Sequence, residues 1–341
     1  MQVHLNTFGT YVHVKDGMFE IRVPTEGRFV THHLAAKKVV SLHLTVAGAI
    51  STDALRLALR HRVEVIVTER DGFPLGRFWS ARPGSTTRIR KRQLEVSIGA
   101  EAVPFVARWL TAKLNGQALH LEKLRKHRKA HREALDAGRG RIGELVASLA
   151  TVCATAPSVG SVADTLRGLE GTAGRLYFGL LSQILPEAYR FSGRSFRPAA
   201  DAFNAFLNYG YGILYNRVEK ALLLAGLNPF VGFMHRDDYN QKSLVFDFIE
   251  PYRVLTDRVV VRLFAGKKIN ATHYELQSSA VHLAKPGKEL LVTALNDFLD
   301  VEKVRHGRRN RSRMNALQVD AHAFAQELIG ENRPAPKIIE L

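Results

Sequence analysis

The amino-acid sequence predicts an α+β protein in which a small, mainly β N-terminal domain precedes a larger all-α domain. Hydrophobic and polar residues alternate in short segments as far as residue 79, whereas after residue 93 the hydrophobic residues recur at helical spacing. The length of 341 residues suits two domains better than one. We therefore assign 1–82 to the β-rich domain, 83–92 to a basic linker and 93–341 to the α-helical domain.

The N-terminal domain is predicted to contain short strands and one helix. The clearest signal is a hairpin, in which Tyr11–Val14 and the alternating segment Phe19–Val23 flank a turn at Asp16-Gly17. Ser51 is a candidate N-cap for a helix over 53–61. Further strands are predicted at 39–46, 63–68 and 75–79, with a turn at Asp71-Gly72 between the last two.

The C-terminal domain has helical periodicity over most of its length and no internal repeat. Gly226, which precedes Asn228 and Pro229, is typical of a helix end, because glycine readily adopts the left-handed conformation found there. Helices are predicted at 93–115, 117–137, 141–152, 161–184, 200–226, 243–264, 286–304 and 312–329.

The net charge limits the classes of function. Lys and Arg total 49 against 32 Asp and Glu, a balance of +17, and such a surplus favours nucleic acid as the partner. The single cysteine, Cys153, excludes a disulfide framework and a Cys-rich zinc module. The N-terminus lacks a secretion signal, and no apolar run approaches the roughly 20 residues of a bilayer span. We therefore expect a cytoplasmic protein with no membrane partner.

Basic residues concentrate in three clusters, at 88–92, 123–132 and 305–313. A single cluster of this kind is usually a solvated face. Three clusters on a chain with this charge favour contacts to phosphates, which position a nucleic acid without reading its sequence. No zinc-finger, RNA-recognition or helix-turn-helix signature accompanies them.

The first candidate catalytic residue is Glu170, on a helix whose apolar stripe includes Leu166 and Ala173. A carboxylate directed at the interior is unfavourable unless it is paired or bound to a cation. Two interpretations follow from the residues alone. Glu170 pairs with Arg167 or Arg175, or it belongs to a cation site.

A second group of candidates lies further along the chain. His235 follows the apolar run that begins at Pro229, and Asp247 and Glu250 share one face of a helix for which Ser243 is the predicted N-cap. Two carboxylates and an imidazole suit Mg²⁺ or Mn²⁺, and three protein ligands leave positions for water and a phosphate oxygen. The spacing of these residues matches no local metal motif, so it adds little support.

Several segments together resemble one known family. They are Glu-Gly-x-Ala-x-x-x-Tyr-Phe at 170–178, Gly-Phe-Met-His at 232–235 and Ser-Leu-Val-Phe-Asp-Phe-Ile-Glu-Pro-Tyr-Arg at 243–253, with additional similarity at 71–79, 208–211, 225–229 and Asp257. Over nearly its whole length the chain is similar to the CRISPR spacer-acquisition integrases, the Cas-one family.

This resemblance implies an N-terminal β domain that mediates dimerisation, a helical catalytic domain, a homodimer, a small Cas-two partner and the capture of short double-stranded DNA. It also implies that Glu170, His235 and Glu250 are ligands of Mg²⁺ or Mn²⁺ and that Asp247 is an acidic neighbour that assists catalysis. Some members have Asp at the last ligand, and Glu250 alters the reach of that ligand rather than its role. The number of metal ions stays open.

The predicted function is therefore that of a metal-dependent DNA endonuclease and integrase, in which a 3′-hydroxyl of captured DNA attacks a phosphodiester in a CRISPR repeat. Water in place of the hydroxyl gives cleavage by the same chemistry. His235 is predicted to be a ligand rather than a general base, with Asp247 as the candidate acceptor for its second ring nitrogen. Two alternatives stay open: a non-catalytic architectural DNA-binding protein, and a transposon-type integrase on the same fold.

Overall fold

The computed structural model describes residues 2–39, 41–61, 63–68, 74–78, 84–196, 198–235, 238–239, 241–277 and 280–330. The chain divides into two compact units, Met1–Thr87 and Arg88–Leu341. The first is rich in strands and the second is mainly helical, which confirms the predicted α+β class. The predicted turn at Asp71-Gly72 and the start of the predicted linker at Pro83 lie outside the described residues.

The first unit contains two four-stranded sheets and one helix. One sheet has the strand order β1-β5-β7-β8, and the other has the order β4-β3-β2-β6. Val12, Phe19, Leu42, Ala54 and Ala58 are fully buried in a common core. The elements are β1 (Gln2–Leu5), β2 (Tyr11–Lys15), β3 (Met18–Thr25), β4 (Arg28–Leu34), β5 (Ser41–Leu44), β6 (Ala49–Ile50), α1 (Thr52–Arg60), β7 (Glu64–Thr68) and β8 (Pro74–Phe78).

Two local predictions for this unit are confirmed. Strands β2 and β3 form the expected antiparallel hairpin, with Lys15 opposite Met18. Asp16 and Gly17 both have positive φ, 52° and 71°, as the two-residue turn that matches the strand twist requires. Ser51 caps α1, because its side chain accepts a hydrogen bond from the Ala54 N–H at 3.2 Å.

The second unit has one large hydrophobic core, to which most of its helices contribute. Gly226, with a φ of 85°, follows the end of α6 as predicted. The elements are α2 (Thr86–Ser97), α3 (Ala102–Arg125), α4 (Arg132–Ala154), α5 (Val159–Ile184), α6 (Ala202–Leu224), α7 (Ser243–Phe248), α8 (Arg253–Ala265), β9 (Tyr274–Gln277), β10 (Ala280–Leu283), α9 (Lys285–Asn296), β11 (Lys303–His306), β12 (Arg309–Ser312) and α10 (Arg313–Leu328). Helix α2 begins within the segment that was predicted as a linker.

The structure corrects the helical prediction in several places. The helices predicted over 93–115 and 243–264 are each interrupted, the first between α2 and α3 and the second by the 3₁₀ turn Glu250–Tyr252, so Asp247 and Glu250 do not share a face of one helix. The helix predicted over 117–137 is broken, because the run of like charges after Lys123 disfavours helix and a 3₁₀ turn at Lys129–His131 separates α3 from α4. The helix predicted over 286–304 ends earlier, and the hairpin β11–β12 turns at Gly307, whose φ is 59°. A second hairpin, β9–β10, also lies in the unit predicted as all-α. Ser243 is the first residue of α7 rather than its N-cap.

No described helix is both long enough and apolar enough to cross a bilayer. The basic cluster at 123–132 lies across the turn between α3 and α4, and much of the cluster at 305–313 lies on the β11–β12 hairpin. The basic residues therefore follow two turns rather than one continuous helix face.

Candidate functional site

A buried lysine joins the two glutamates that the sequence singled out. Lys113, on α3, is 8% exposed, and its ammonium donates to Oε1 of Glu170, on α5. The same ammonium lies 2.5 Å from Oε2 of Glu250, in the short 3₁₀ turn between α7 and α8. Arg167 pairs instead with Asp164 at 2.6 Å, and Arg175 donates to Thr172. Glu170 therefore does not form the local pair that was the simpler alternative.

Arg253 completes the charge network around Glu250. Its Nε donates to Oε1 of Glu250 at 2.9 Å, and its Nη2 donates to the Tyr215 hydroxyl at 2.6 Å. Burial alone raises the pKa of the Glu250 carboxyl, but the charges of Arg253 and Lys113 outweigh burial and hold this pKa at about 2. Likewise burial lowers the pKa of Lys113, while Glu250 and Glu170 raise it more strongly. Both partners are therefore charged at neutral pH.

His235 is positioned by a buried carboxylate beneath it. Asp247 Oδ1 lies 2.6 Å from the ring Nδ1 of His235, so the candidate acceptor named from sequence is in place. The two Asp247 oxygens also accept backbone N–H bonds from Phe233 at 2.6 Å, Met234 at 3.0 Å and His235 at 3.2 Å. An ionised Asp247 places the imidazole proton on Nδ1 and leaves the lone pair on Nε2. Asp247 thus contacts the loop and the ring.

The loop before His235 depends on close packing. A Cβ on Gly232 would lie 2.5 Å from the Ser243 Cβ and 2.8 Å from the His235 carbonyl oxygen, so only glycine fits without a shift. Phe233 is anchored edge-on against Trp109 at 5.6 Å and against Phe105 at 5.7 Å between ring centroids. These contacts tie the position of His235 to α3, the helix that carries Lys113.

The three predicted ligands line one cavity of about 250 Å³. Glu170, His235 and Glu250 contribute to its wall together with Lys113 and Arg253, whereas Asp247 does not line it. Among the described residues, no three acidic, histidine or cysteine side chains are arranged to hold a metal ion. The structure thus brings the predicted residues to one cavity, with an ammonium between the two glutamates.

A second buried network lies beside the cavity. Asp257, which lines the cavity, accepts hydrogen bonds from the hydroxyls of Tyr211 at 2.5 Å and Tyr177 at 3.2 Å. The Tyr177 hydroxyl is also 2.6 Å from Nδ1 of His120. Burial raises the pKa of Asp257 to about 6, although both tyrosines lower it, and burial lowers the pKa of His120 to about 3. His120 is therefore neutral at physiological pH.

Sequence reasoning missed Lys113, although α3 carries a signal for it. Lys113, Gln117 and His120 recur at helical spacing among apolar neighbours such as Leu110 and Leu114. All three polar side chains are buried. Polar residues on an otherwise apolar helix face indicate a buried polar network, because such groups need partners in the interior.

Comparison with known proteins identifies the family. The family model described as CRISPR associated protein Cas1 matches residues 3–297. The chain belongs to the Cas1 family. Cas1 relatives named CRISPR-associated endonuclease Cas1 1 include one from Archaeoglobus fulgidus, 31% identical, and one from Thermus thermophilus, 30% identical. Each of these alignments covers 98% of this chain and 98% of the relative. The resemblance inferred from the sequence motifs is thereby confirmed.

Solved structures show the same fold at lower identity. A partial Cas6-RT-Cas1–Cas2 complex matches with a TM-score of 0.77 at 21% identity, covering 100% of this chain and 99% of the other. A casposase bound to integration product matches with a TM-score of 0.73 at 20% identity, covering 97% and 96%. These two likenesses show that the fold is shared over nearly the whole chain.

Proposed function

We propose that this Cas1-family chain is a metal-dependent DNA endonuclease and integrase, which inserts short captured DNA into a CRISPR repeat array. The observation that carries the proposal is the convergence of Glu170 and Glu250 on one cation, the Lys113 ammonium, in a cavity that His235 also lines. The relatives named as CRISPR-associated endonucleases support the chemistry, because they match almost from end to end.

Glu170, His235 and Glu250 are the residues that would hold Mg²⁺ or Mn²⁺. Two features of this chain fit such an ion. The two carboxylates already share a cation, and Asp247 leaves the His235 Nε2 lone pair available. When bound, the ion supplies polarisation of a phosphodiester and stabilises charge on the transferring group.

The remaining residues of the site orient and stabilise these groups. Asp247 fixes the ring of His235, and Arg253 keeps the buried Glu250 carboxylate ionised. Arg194, a cation of the cavity wall that donates its hydrogen bonds to neutral groups, adds positive charge that attracts a phosphate of DNA. A 3′-hydroxyl or a water molecule then attacks in line, because the enclosed wall limits the orientation of the phosphodiester.

The proposed assembly is a homodimer, joined through the N-terminal unit, that binds double-stranded DNA and a small Cas-two partner. Similar solved structures support these partners, because one is a partial Cas6-RT-Cas1–Cas2 complex and another is a Cas1–DNA complex. The surplus of positive charge supports binding to the DNA backbone.

An integration assay tests the proposal. The full chain is incubated with a short duplex, a supercoiled repeat-containing plasmid and Mn²⁺ or Mg²⁺, with and without the small partner. We expect covalent joining of the duplex 3′ end to the plasmid, abolished by EDTA. DNA binding without joining or cleavage under any of these conditions would support the architectural alternative instead.

A transposon-type integrase is the second candidate, favoured by the likeness to the casposase, which is nearly as close as that to the Cas1–Cas2 complex. The assay separates the two candidates when the target is varied. A CRISPR-type integrase joins DNA at the borders of a repeat, whereas a transposon-type integrase requires its own terminal sequences on the inserted DNA.

A further inference from the structure

Lys113 occupies the position between the two glutamates to which we assign a divalent ion. Its ammonium contacts carboxylate oxygens of both Glu170 and Glu250, and 8% of the residue is exposed. Without this charge, the two carboxylates would lie close together, and each negative charge would disfavour the ionised form of the other. Lys113 therefore holds the metal-free site together as an internal counter-cation.

The ammonium and a divalent ion cannot both occupy this position. They would share the same oxygens at contact distance, where the repulsion between like charges is strongest. The Arg253 guanidinium is a further near positive charge and opposes any ammonium that stays in the cavity. Among the described residues, Glu170 and Glu250 are the carboxylates within ion-pair distance of Lys113. Asp257, another carboxylate of the cavity lining, already accepts hydrogen bonds from Tyr211 and Tyr177, so a displaced ammonium is better paired with an anion from outside the chain.

A DNA phosphate is the anion that the proposed reaction delivers to this cavity. A lysine side chain is long and flexible, and its ammonium can rotate to present three donors to a new acceptor. Moving the Lys113 ammonium away from the carboxylates costs the least free energy when a phosphate lies within its reach. The favourable contact with the phosphate then lowers the free energy needed for the metal to bind.

We propose that Lys113 competes with the divalent ion for Glu170 and Glu250 and pairs with a DNA phosphate once displaced, so that metal and DNA bind cooperatively. The inference rests on the proposed function. Competition from Lys113 makes the metal-free, DNA-free enzyme bind metal weakly. Nuclease chemistry is therefore restricted to complexes that already hold DNA. By linkage, metal strengthens DNA binding by the same factor with which DNA strengthens metal binding.

The test is a manganese titration of the full chain, followed by the loss of free Mn²⁺ signal in electron paramagnetic resonance. It is performed without DNA and with a duplex whose 3′ ends lack hydroxyls, so that no reaction occurs. The variants are Lys113→Met, Lys113→Gln and Lys288→Met. The last is a matched control, because it removes the same charge from α9, outside the cavity lining and outside the three basic clusters.

For the wild type we expect DNA to tighten Mn²⁺ binding by at least about fivefold, the lower end of typical coupling. Lys113→Met and Lys113→Gln should bind Mn²⁺ several-fold more tightly without DNA and lose most of the coupling. Lys113→Gln keeps a donor to the glutamates, so it reports on the charge even where Lys113→Met unfolds. Lys288→Met should retain the coupling.

Two results separate the failure of this inference from failure of the proposed function. Mn²⁺ binding that depends on Glu250 but is not tightened by either Lys113 variant overturns the inference alone. Mn²⁺ binding that Glu250→Gln leaves unchanged, with and without DNA, overturns the proposed metal site and the inference with it.

Discussion

Two buried carboxylates, one in each unit, are held in different ways. Glu20 lies opposite His13 and His33 on the neighbouring strands, and its Oε1 is 2.8 Å from both His13 Nε2 and Arg22 Nε. The strand register fixes this network within a short stretch of sequence. Glu250 instead contacts the Lys113 ammonium, from a distant helix, in the wall of a cavity of about 250 Å³. The strand register fixes a structural ion pair at Glu20. At Glu250, the cavity leaves space in which a second cation can replace the Lys113 ammonium.

The largest expected difference between the two regions is in catalysis. Glu170→Gln, Glu250→Gln and His235→Ala should each reduce strand transfer by more than about 100-fold, because loss of a group that only supports a metal ligand already reduces activity by about 10–100-fold. Strand-transfer rates and DNA affinities of the purified variants provide the measurement.

Glu20→Gln is the matched control for this prediction. It removes a buried carboxylate charge from the first unit, and we expect strand transfer within about twofold of the wild type in folded protein. Site variants that integrate DNA at near wild-type rates would refute the assignment of Glu170, His235 and Glu250.

Asp247 provides the next largest effect. In Asp247→Asn a single amide oxygen replaces the two carboxylate oxygens that accept hydrogen bonds from the loop N–H groups and the imidazole. Some of these donors therefore lose their acceptor. We expect strand transfer to fall by about 10–100-fold and stability to fall by about 1–3 kcal/mol. Single-turnover rates should decrease more than DNA affinity. An unchanged single-turnover rate would argue against orientation of His235 by Asp247.

His120, a buried histidine of the second unit, predicts a dependence of stability on pH. The pKa of His120 is about 3 in the folded state, below the usual 6.5. At pH values between the two, His120 therefore takes up a proton when the protein unfolds, and the free energy of unfolding decreases as the pH falls through this range. When the pH is lowered from about 7 to about 5, the free energy of unfolding should therefore decrease by about 2 kcal/mol less in His120→Gln than in the wild type. Urea unfolding at the two pH values measures this, with the exposed His127→Gln as control. Equal pH dependence of His120→Gln and the wild type would contradict it.

The smallest effect concerns the basic surface as a whole. DNA affinity should fall by at least about tenfold between about 50 and 200 mM salt, which the neutralisation of two phosphates already produces. Fluorescence anisotropy with a labelled duplex measures the slope. A flat response would contradict binding through the DNA backbone.

Sequence patterns predicted the local structure of both units well. The hairpin turn at Asp16-Gly17, the cap at Ser51 and the helix end at Gly226 depend on neighbouring residues, and all three are present. The helix break after Lys123 was missed, because apolar spacing favoured a helix where the run of like charges disfavours one. The hairpin that turns at Gly307 was missed, because the segment between the two late helices was interpreted only as a basic cluster.

The site was only partly predictable from sequence. The motif resemblance named Glu170, His235, Asp247 and Glu250, and the structure brings Glu170, His235 and Glu250 to one cavity with Asp247 beneath His235. Lys113 could not be assigned to the glutamates, because the pairing depends on how α3 packs against α5 and the turn at Glu250. Tertiary packing of this kind leaves only a weak periodic signal in the sequence.

Anomalous diffraction from crystals of the chain with manganese and unreactive duplex DNA tests the central claim most directly. The account predicts one manganese peak within bonding distance of Glu170, Glu250 and the Nε2 of His235, with the Lys113 ammonium moved towards a phosphate. Crystals that contain ordered DNA in the cavity, with Lys113 still between the glutamates and manganese absent from all three groups, would contradict it.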